Sequence, residues 1–330
     1  MQQRIESTGG IYVNALVIGY GSIGRRHCRL LSELGCSVSV VSSRPQPGLS
    51  VYETIAEAMY SDSWDYVVVA NRTHQHYETL KTLRERGYTG DVLVEKPLFE
   101  RLRSLPGATL SRVYAGYNLR FHPVLRRLRE LLQGQRMLSA QVYTGQYLPG
   151  WRSEDDRYVY SARREEGGEL LDLSHELDYL LWLFGPWRQL VAAGGRYSRL
   201  DIDSDDIYAL LIRMADCPIV ILQLNYVDRQ RQRQIIVNTD EHTYTADLIA
   251  GTLAIDGEIE RYPSDPDHTY REQHLALLGG ERGELCGIEE AADCLHMIER
   301  VSAAARSGRW VSNEKAVYDL RAGRVQGDSL

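Results

Sequence analysis

The chain has little cysteine: five residues in 330, at positions 28, 36, 217, 286 and 294, with no C-x-x-C pair. Such scatter excludes a disulfide framework and fits a reducing cytoplasm. Cys28 and Cys294 fall on apolar helix faces, where small buried thiols are the ordinary reading. No apolar run approaches the length of a membrane span. The first ten residues, MQQRIESTGG, lack an apolar h-region, so no secretory signal is expected there. Basic charge is also short. A net charge of −7 argues against nucleic acid as a partner, because phosphate contacts need a basic footprint. Phenylalanine is scarce, at three against 21 tyrosines, a balance compatible with polar pockets. Internal repeats and low-complexity segments are missing as well. The remaining class is an ordinary globular protein, 43% hydrophobic and 25% charged, long enough for two domains.

The stretch Ala15-Leu-Val-Ile-Gly-Tyr-Gly-Ser-Ile-Gly-Arg-Arg-His27 reads as strand, tight turn and helix. Gly19 permits the turn, Gly21 lets backbone approach a pyrophosphate, and Gly24 lets the helix pack close to the strand. Ser22 and Ile23 open the helix, whose unpaired N–H groups would hold the phosphates of a dinucleotide. The next strand, Ser37 to Val41, ends where the adenosine ribose is normally recognised. An acidic residue there would select NAD; this chain has Ser42-Ser43-Arg44 and no carboxylate before Glu53. Hydroxyls and a guanidinium suit a 2′-phosphate, so NADP is favoured over NAD. Helical stretches at Thr54–Tyr60 and His76–Arg86 alternate with apolar runs at Asp65–Ala70 and Asp91–Val94, and a further strand is expected at Arg112–Tyr117. This is the pattern of a Rossmann doubly wound parallel sheet, an α/β fold.

The pattern changes near residue 120, which divides the chain into a dinucleotide-binding domain, 1–120, and a substrate-binding and oligomerisation domain, 121–330. Helices are expected at Pro123–Gly134, Leu170–Phe184 and Ile288–Arg306, and a strand at Met137–Gly145. Residues 190–261 alternate with period two, which predicts an open, mainly antiparallel sheet. The tail from Arg321 is polar and expected to fray. Arg229-Gln-Arg-Gln-Arg233 reads as a solvated hairpin, not a nucleic-acid patch, in so acidic a chain.

Two constellations can carry chemistry. Lys96, in Glu95-Lys96-Pro97, ends a buried strand on the side where open α/β sheets bind ligands. Pro97 holds it extended and allows a cis bond. Asp172 and His175 stand three apart at the start of a helix, on one face, where a carboxylate can orient an imidazole for proton transfer. A metal site from Asp172, His175 and Asp178 is disfavoured, because Asp178 turns away and no other ligand is evident.

GYGSIGRRH, VEKPL, GYNLRFHP and GGELLDLSHELDYLLWLFG, in this order, resemble the Gfo/Idh/MocA family, the glucose–fructose oxidoreductase and inositol dehydrogenase relatives. The resemblance covers essentially the whole chain. It implies a Rossmann domain followed by an α/β domain with an open sheet. It also implies Lys96, His175 and Asp172 as catalytic residues, and Asn118 and Arg120 beside nicotinamide and substrate. Asn71, His76 and Glu95 join the cofactor contacts. The family usually spaces the aspartate and histidine four apart; here the spacing is three, although Asp178 keeps the family's distance from His175. Asn71-Arg72 stands where relatives often have Thr-Pro. The loop 151–164, with Trp151, Arg152 and Arg163, resembles members acting on surface-polysaccharide sugars, which suits an anionic sugar or sugar nucleotide; the alternative is a solvated loop whose arginines are neutralised by the acids at 154–156 and 165–166. The implied activity is hydride transfer between NAD(P) and a sugar hydroxyl or carbonyl. An NAD-dependent glycoside hydrolase and a non-enzymatic dinucleotide sensor are the rival readings. A homo-oligomer, dimer or tetramer, would cover the open sheet.

Overall fold

The structure, a computed structural model, describes residues 13–103, 112–151, 167–263 and 265–314. The expectations for the first ten residues, for Arg152, Arg163 and their loop, and for the tail from Arg321 fall outside the described residues. These residues divide into two compact units: one runs to Glu95 and takes in 112–114, and the other comprises Lys96 onward and resumes at Ala115. The division therefore falls inside the Glu-Lys-Pro motif, ahead of the boundary expected at 120.

In the first unit, β1 (Asn14–Ile18), β2 (Ser37–Val41), β3 (Ser50–Tyr52), β4 (Tyr66–Val69) and β5 (Asp91–Val94) pair in parallel in the order β5-β4-β1-β2-β3. The central strands are buried along almost their whole length, as their unbroken apolar runs require. Helix α1 (Ser22–Glu33) buries Cys28, Leu30 and Leu31, and the chain reverses at Gly35 with φ 85°. Helix α2 (Ile55–Ser61) starts on Thr54, whose hydroxyl accepts from the Glu57 N–H at 3.1 Å. Helix α3 is His76–Glu85. The three-residue β3 has no periodicity long enough to read from sequence. The expected strand at Arg112–Tyr117 shrinks to β6 (Val113–Ala115), beside β5.

The second unit is built on a nine-stranded sheet. Its strands are β7 (Met137–Tyr147), β8 (Trp187–Gly195), β9 (Ile207–Met214), β10 (Val220–Asn225), β11 (Val227–Thr239), β12 (Thr243–Asp247), β13 (Thr252–Ile255) and β14 (Glu258–Arg261). Their order is β14-β13-β12-β11-β7-β10-β9-β8, with Val311–Ser312 on the β8 edge. Pairing is antiparallel except between β7 and β10. Burial alternates along β9, as period two predicts. Helix α4 (Pro123–Leu132) buries Val124, Leu125, Leu128 and Leu132.

The helix expected at Leu170–Phe184 is two. After a short α5 (Leu148–Trp151), α6 (Glu169–Asp172) ends at Leu173, φ −97° and ψ 27°, and α7 (Ser174–Phe184) restarts. A helix not read from the sequence, α8 (His268–Gly279), buries Thr269, Gln273 and His274 alongside Ala276 and Leu277, so its inward face mixes polar and apolar groups and gives only a weak apolar stripe. Helix α9 (Ile288–Ser307) closes the unit and packs on α7 and β8.

Candidate functional site

In the first unit a cleft of about 1090 Å³ opens at the carboxyl ends of β1 and β2, lined by Gly19, Arg25, Ser42, Ser43, Arg44 and Asn71 among others. This is the switch point where β1 passes to β2 on one side and β4 on the other. The glycines fit a dinucleotide. Gly19 has φ 101°, and a Cβ there would sit 2.7 Å from Asn71 backbone. A Cβ at Gly24 would lie 2.1 Å from the Gly19 carbonyl, whereas one at Gly21 meets nothing within 4 Å. Thus two glycines bring helix and strand together and the third leaves the loop surface bare. The α1 N-terminus, with Ser22 and Ile23, has no side-chain cap and no acid in its first turn, which suits an anion. Asn71 donates to the Thr79 hydroxyl at 2.8 Å while its buried Oδ1 has no partner among the described residues, leaving an acceptor for a ligand donor.

Four cofactor expectations sharpen here. Ser42 folds back on Arg44, accepting from its N–H at 3.2 Å and donating to its carbonyl at 3.0 Å, so this loop is locally ordered. Val41 pairs with Tyr52, which places Glu53 in the same cleft, just past β3. A carboxylate absent from sequence neighbours of Arg44 therefore arrives from the next strand. His76 is corrected: it is 1% exposed and its Nε2 lies 3.2 Å from the Asn71 carbonyl, so it positions Asn71 and does not line the cleft. Glu95 is held by His27 of α1, with Nε2 and Oε1 2.9 Å apart. His27 is fully buried and was part of the motif without being singled out.

The second unit gathers the proton-handling groups. The Lys96–Pro97 peptide is cis, and Lys96 Nζ donates to the Asp172 backbone carbonyl at 2.5 Å. That carbonyl is the last of α6 and faces no continuing helix, so the break at Leu173 is what frees it to anchor the lysine. His175, the second residue of α7, has the Tyr117 ring edge-on, centroids 5.7 Å apart. Its Nδ1 is buried and has no partner among the described residues. Burial, then the Lys96 ammonium and the Arg233 guanidinium, hold the imidazole well below its ordinary pKa. It is a neutral base beside a cation.

Asp172 does not orient His175, contrary to expectation. The break at Leu173 removes the i, i+3 register, and the Asp172 carboxylate accepts instead from the Tyr226 hydroxyl at 2.6 Å. Asp178 is not the partner either. It is gripped by Arg120 through three hydrogen bonds of 2.7–3.2 Å, with both side chains 2% exposed. Arg120 also reaches Glu290 at 2.9 Å. Its guanidinium is consumed inside the protein, so the expected substrate contact is replaced by a structural one. Asn118 is likewise turned inward, donating to Thr269 at 2.7 Å. Trp151 ends α5.

The Arg229–Arg233 segment is not a hairpin but the start of β11. Arg233 pairs at 2.8 Å with Glu176, a fully buried carboxylate next to His175 that also accepts from Thr144 at 2.9 Å. A charged residue inside the apolar α7 pattern was the sequence signal for this pair. Glu169 is fully buried, and neither carboxylate oxygen has a partner among the described residues. Burial, and then Asp206 and the other acids around it, raise it well above the ordinary glutamate range. No group of residues suited to a metal ion occurs among the described residues.

The comparisons with known proteins agree with this architecture. The family model described as "Oxidoreductase family, NAD-binding Rossmann fold" matches residues 13–106, and that of the GFO/IDH/MocA C-terminal domain matches 125–245. The chain is similar to an uncharacterised oxidoreductase of Synechocystis, 32% identical over 43% of this chain and 40% of that protein. It is also similar to the rhizopine catabolism protein MocA of Rhizobium meliloti, 26% identical over 51% of this chain and 56% of that one. These matches thus span about half the length of the curated relatives. Among solved structures, the WlbA dehydrogenase of Bordetella pertussis, in complex with NADH and UDP-GlcNAcA, shares the fold. Its TM-score is 0.74 at 16% identity, over 91% of this chain and 98% of that one. The chain belongs to the GFO/IDH/MocA oxidoreductase family.

Proposed function

We propose that this chain is an NAD(P)-dependent dehydrogenase or reductase acting on a sugar or sugar-derivative CH–OH group, with an anionic sugar as substrate. The observation that carries the reading is the anchored Lys96 in one unit with a neutral, poorly solvated His175. The first unit would hold the dinucleotide on Gly19, Gly21, Ser22, Ile23 and Gly24, with Asn71 offering its open acceptor. When bound, nicotinamide supplies or accepts the hydride. Lys96, positioned by its bond to the Asp172 carbonyl, would hydrogen-bond the reacting oxygen through its ammonium. His175, uncharged, would take the hydroxyl proton in the oxidative direction and return it in reduction. Asp172, through its backbone carbonyl, is a positioning residue for the lysine.

Ser42, Ser43 and Arg44 support NADP; Glu53 in the same cleft supplies the acceptor that a free ribose would need. The Ser–Ser–Arg loop tips our reading to NADP, because it follows β2 directly in the chain and its Arg44 lines the same cleft. A second copy of the chain would cover the open sheet. Leu211 and its cross-strand partner Ile221, 39% and 44% exposed, lie beside Ile219, 50% exposed, on one face.

The test is nicotinamide absorbance with NAD and NADP against neutral and acidic sugars. Lys96→Ala should lower turnover about 10²–10⁴-fold, the range for a lost acid–base group, while dinucleotide binding by fluorescence stays intact. Unchanged turnover would remove Lys96 from the chemistry, and decisive preference for NAD would overturn the reading of Arg44.

A further inference from the structure

Residues 228–231 leave the β7–β11 ladder: Val227 faces Tyr147, and the next pair is Gln232 with Gly145. Bulges of this kind re-aim side chains beside functional sites. This one is built rigidly. Asn225 Oδ1 accepts from the Val227 and Asp228 N–H groups, both at 2.9 Å. The Asp228 carboxylate accepts from the Tyr143 hydroxyl at 2.7 Å and from Asn225 Nδ2 at 3.3 Å. It occupies the space over Gly145, where a Cβ would stand 1.8 Å from it.

The bulge carries arginines at 229 and 231, and 233 follows where pairing resumes. Two of them are spoken for: Arg233 by Glu176, and Arg229 by the Tyr147 ring, 3.5 Å beneath its guanidinium. Arg231 makes no ion pair with any described residue and is exposed. Partial desolvation and then the Arg233 charge work against its own charge, with Glu176 the only opposing acid. Glu176 is already committed to Arg233 and adjoins His175 in sequence. A planar donor fork with no ion pair, held on a pinned bulge within the field of Glu176, which follows His175 in α7, is suited to an anion.

We infer that Arg231 is the anion receptor of the substrate unit, taking the carboxylate or phosphate of an acidic sugar whose reacting hydroxyl is offered to Lys96 and His175. The inference rests on the sugar-oxidoreductase reading for the identity of the ligand. It shifts charge recognition from the arginines at 152 and 163 to the strand segment that the sequence presents as a solvated hairpin. Lysine at 231 would keep charge but lose the fork.

The experiment measures equilibrium binding of D-glucuronate, glucose 6-phosphate and glucose to the full chain with NADP present. Turnover is recorded separately. At least one acidic probe should bind wild type at least about 10-fold better than glucose, within the range of a charge-assisted hydrogen bond. Glucuronate ahead of glucose 6-phosphate identifies a carboxylate; the reverse order identifies a phosphate. Arg231→Ala should erase the advantage, Arg231→Lys should keep part of it, and glucose binding should be the same in all three proteins. An advantage that survives in Arg231→Ala, or no advantage in wild type, overturns the assignment. Discrimination by charge without any nicotinamide turnover would sink the dehydrogenase reading and leave the receptor standing.

Discussion

Replacing Arg120 with alanine separates a structural role from a substrate contact. The guanidinium makes a bidentate grip on Asp178, and both groups are 2% exposed; its second acid, Glu290, is 51% exposed. Removing one member of a buried pair costs about 3–5 kcal/mol, because the other charge is left without solvent or partner. The Glu290 pair adds little, since exposed pairs are worth at most about 1 kcal/mol. The loss corresponds to a drop of about 6–20 °C in Tm for a unit of this size. The pH dependence carries a sign. Burial already pushes the Asp178 carboxyl up and Arg120 pulls it back. Without Arg120 the folded form holds its proton more tightly than the unfolded chain does. Stability of Arg120→Ala should therefore fall as pH rises and approach wild type in acid. Urea and thermal melts of Arg120→Ala and of Arg120→Met combined with Asp178→Asn make the comparison; the double variant should recover most of the loss. A single variant that loses under about 1 kcal/mol but no longer turns over substrate would refute the structural assignment.

The low pKa of His175 gives a kinetic expectation: kcat/KM should hold as pH falls past the ordinary imidazole value of about 6.5 and decline only below it. Arg233→Gln removes one of the cations depressing it and should move that acid limb upward; a limb already at the ordinary value in wild type would count against His175 as the base. Glu169 tests the buried-acid argument. Its raised pKa means that the folded state keeps a proton the unfolded chain releases, so wild-type stability declines as pH rises above the ordinary glutamate range. Glu169→Gln should abolish that slope and be at least as stable at neutral pH, as read by melts across pH. A loss above about 1 kcal/mol there would mean the carboxylate itself is needed.

The glycine loop was legible because its reasons are local. Turn, helix start and helix–strand approach each depend on a backbone position that Gly19, Gly21 or Gly24 supplies within six residues. Lys96 was legible for a similar reason, standing after a buried strand and before a proline. His175 was reached through its motif, but the partner assigned to it was wrong. Apolar periodicity cannot show that a helix breaks at Leu173, because leucines at 170, 171, 173 and 177 carry the apolar pattern across the break. Helix α8 was missed because its buried face interleaves Thr269, Gln273 and His274 with Ala276 and Leu277, which blurs the apolar period.

By itself the sequence determined the parallel α/β first unit, the mainly antiparallel second one and the dinucleotide loop. These follow from short-range sterics and from hydrophobic period. Only the tertiary structure decided which charges are spent internally and which are left for a ligand. Arg120 meets Asp178 across 58 residues, Tyr226 meets Asp172 across 54, and Arg233 meets Glu176 across 57. At such separations the partner is chosen by strand register and burial, and a buried charge takes whichever opposite charge the fold brings within reach. The same register, broken at residues 228–231, singles out Arg231 as a guanidinium with no acid of its own among the described residues.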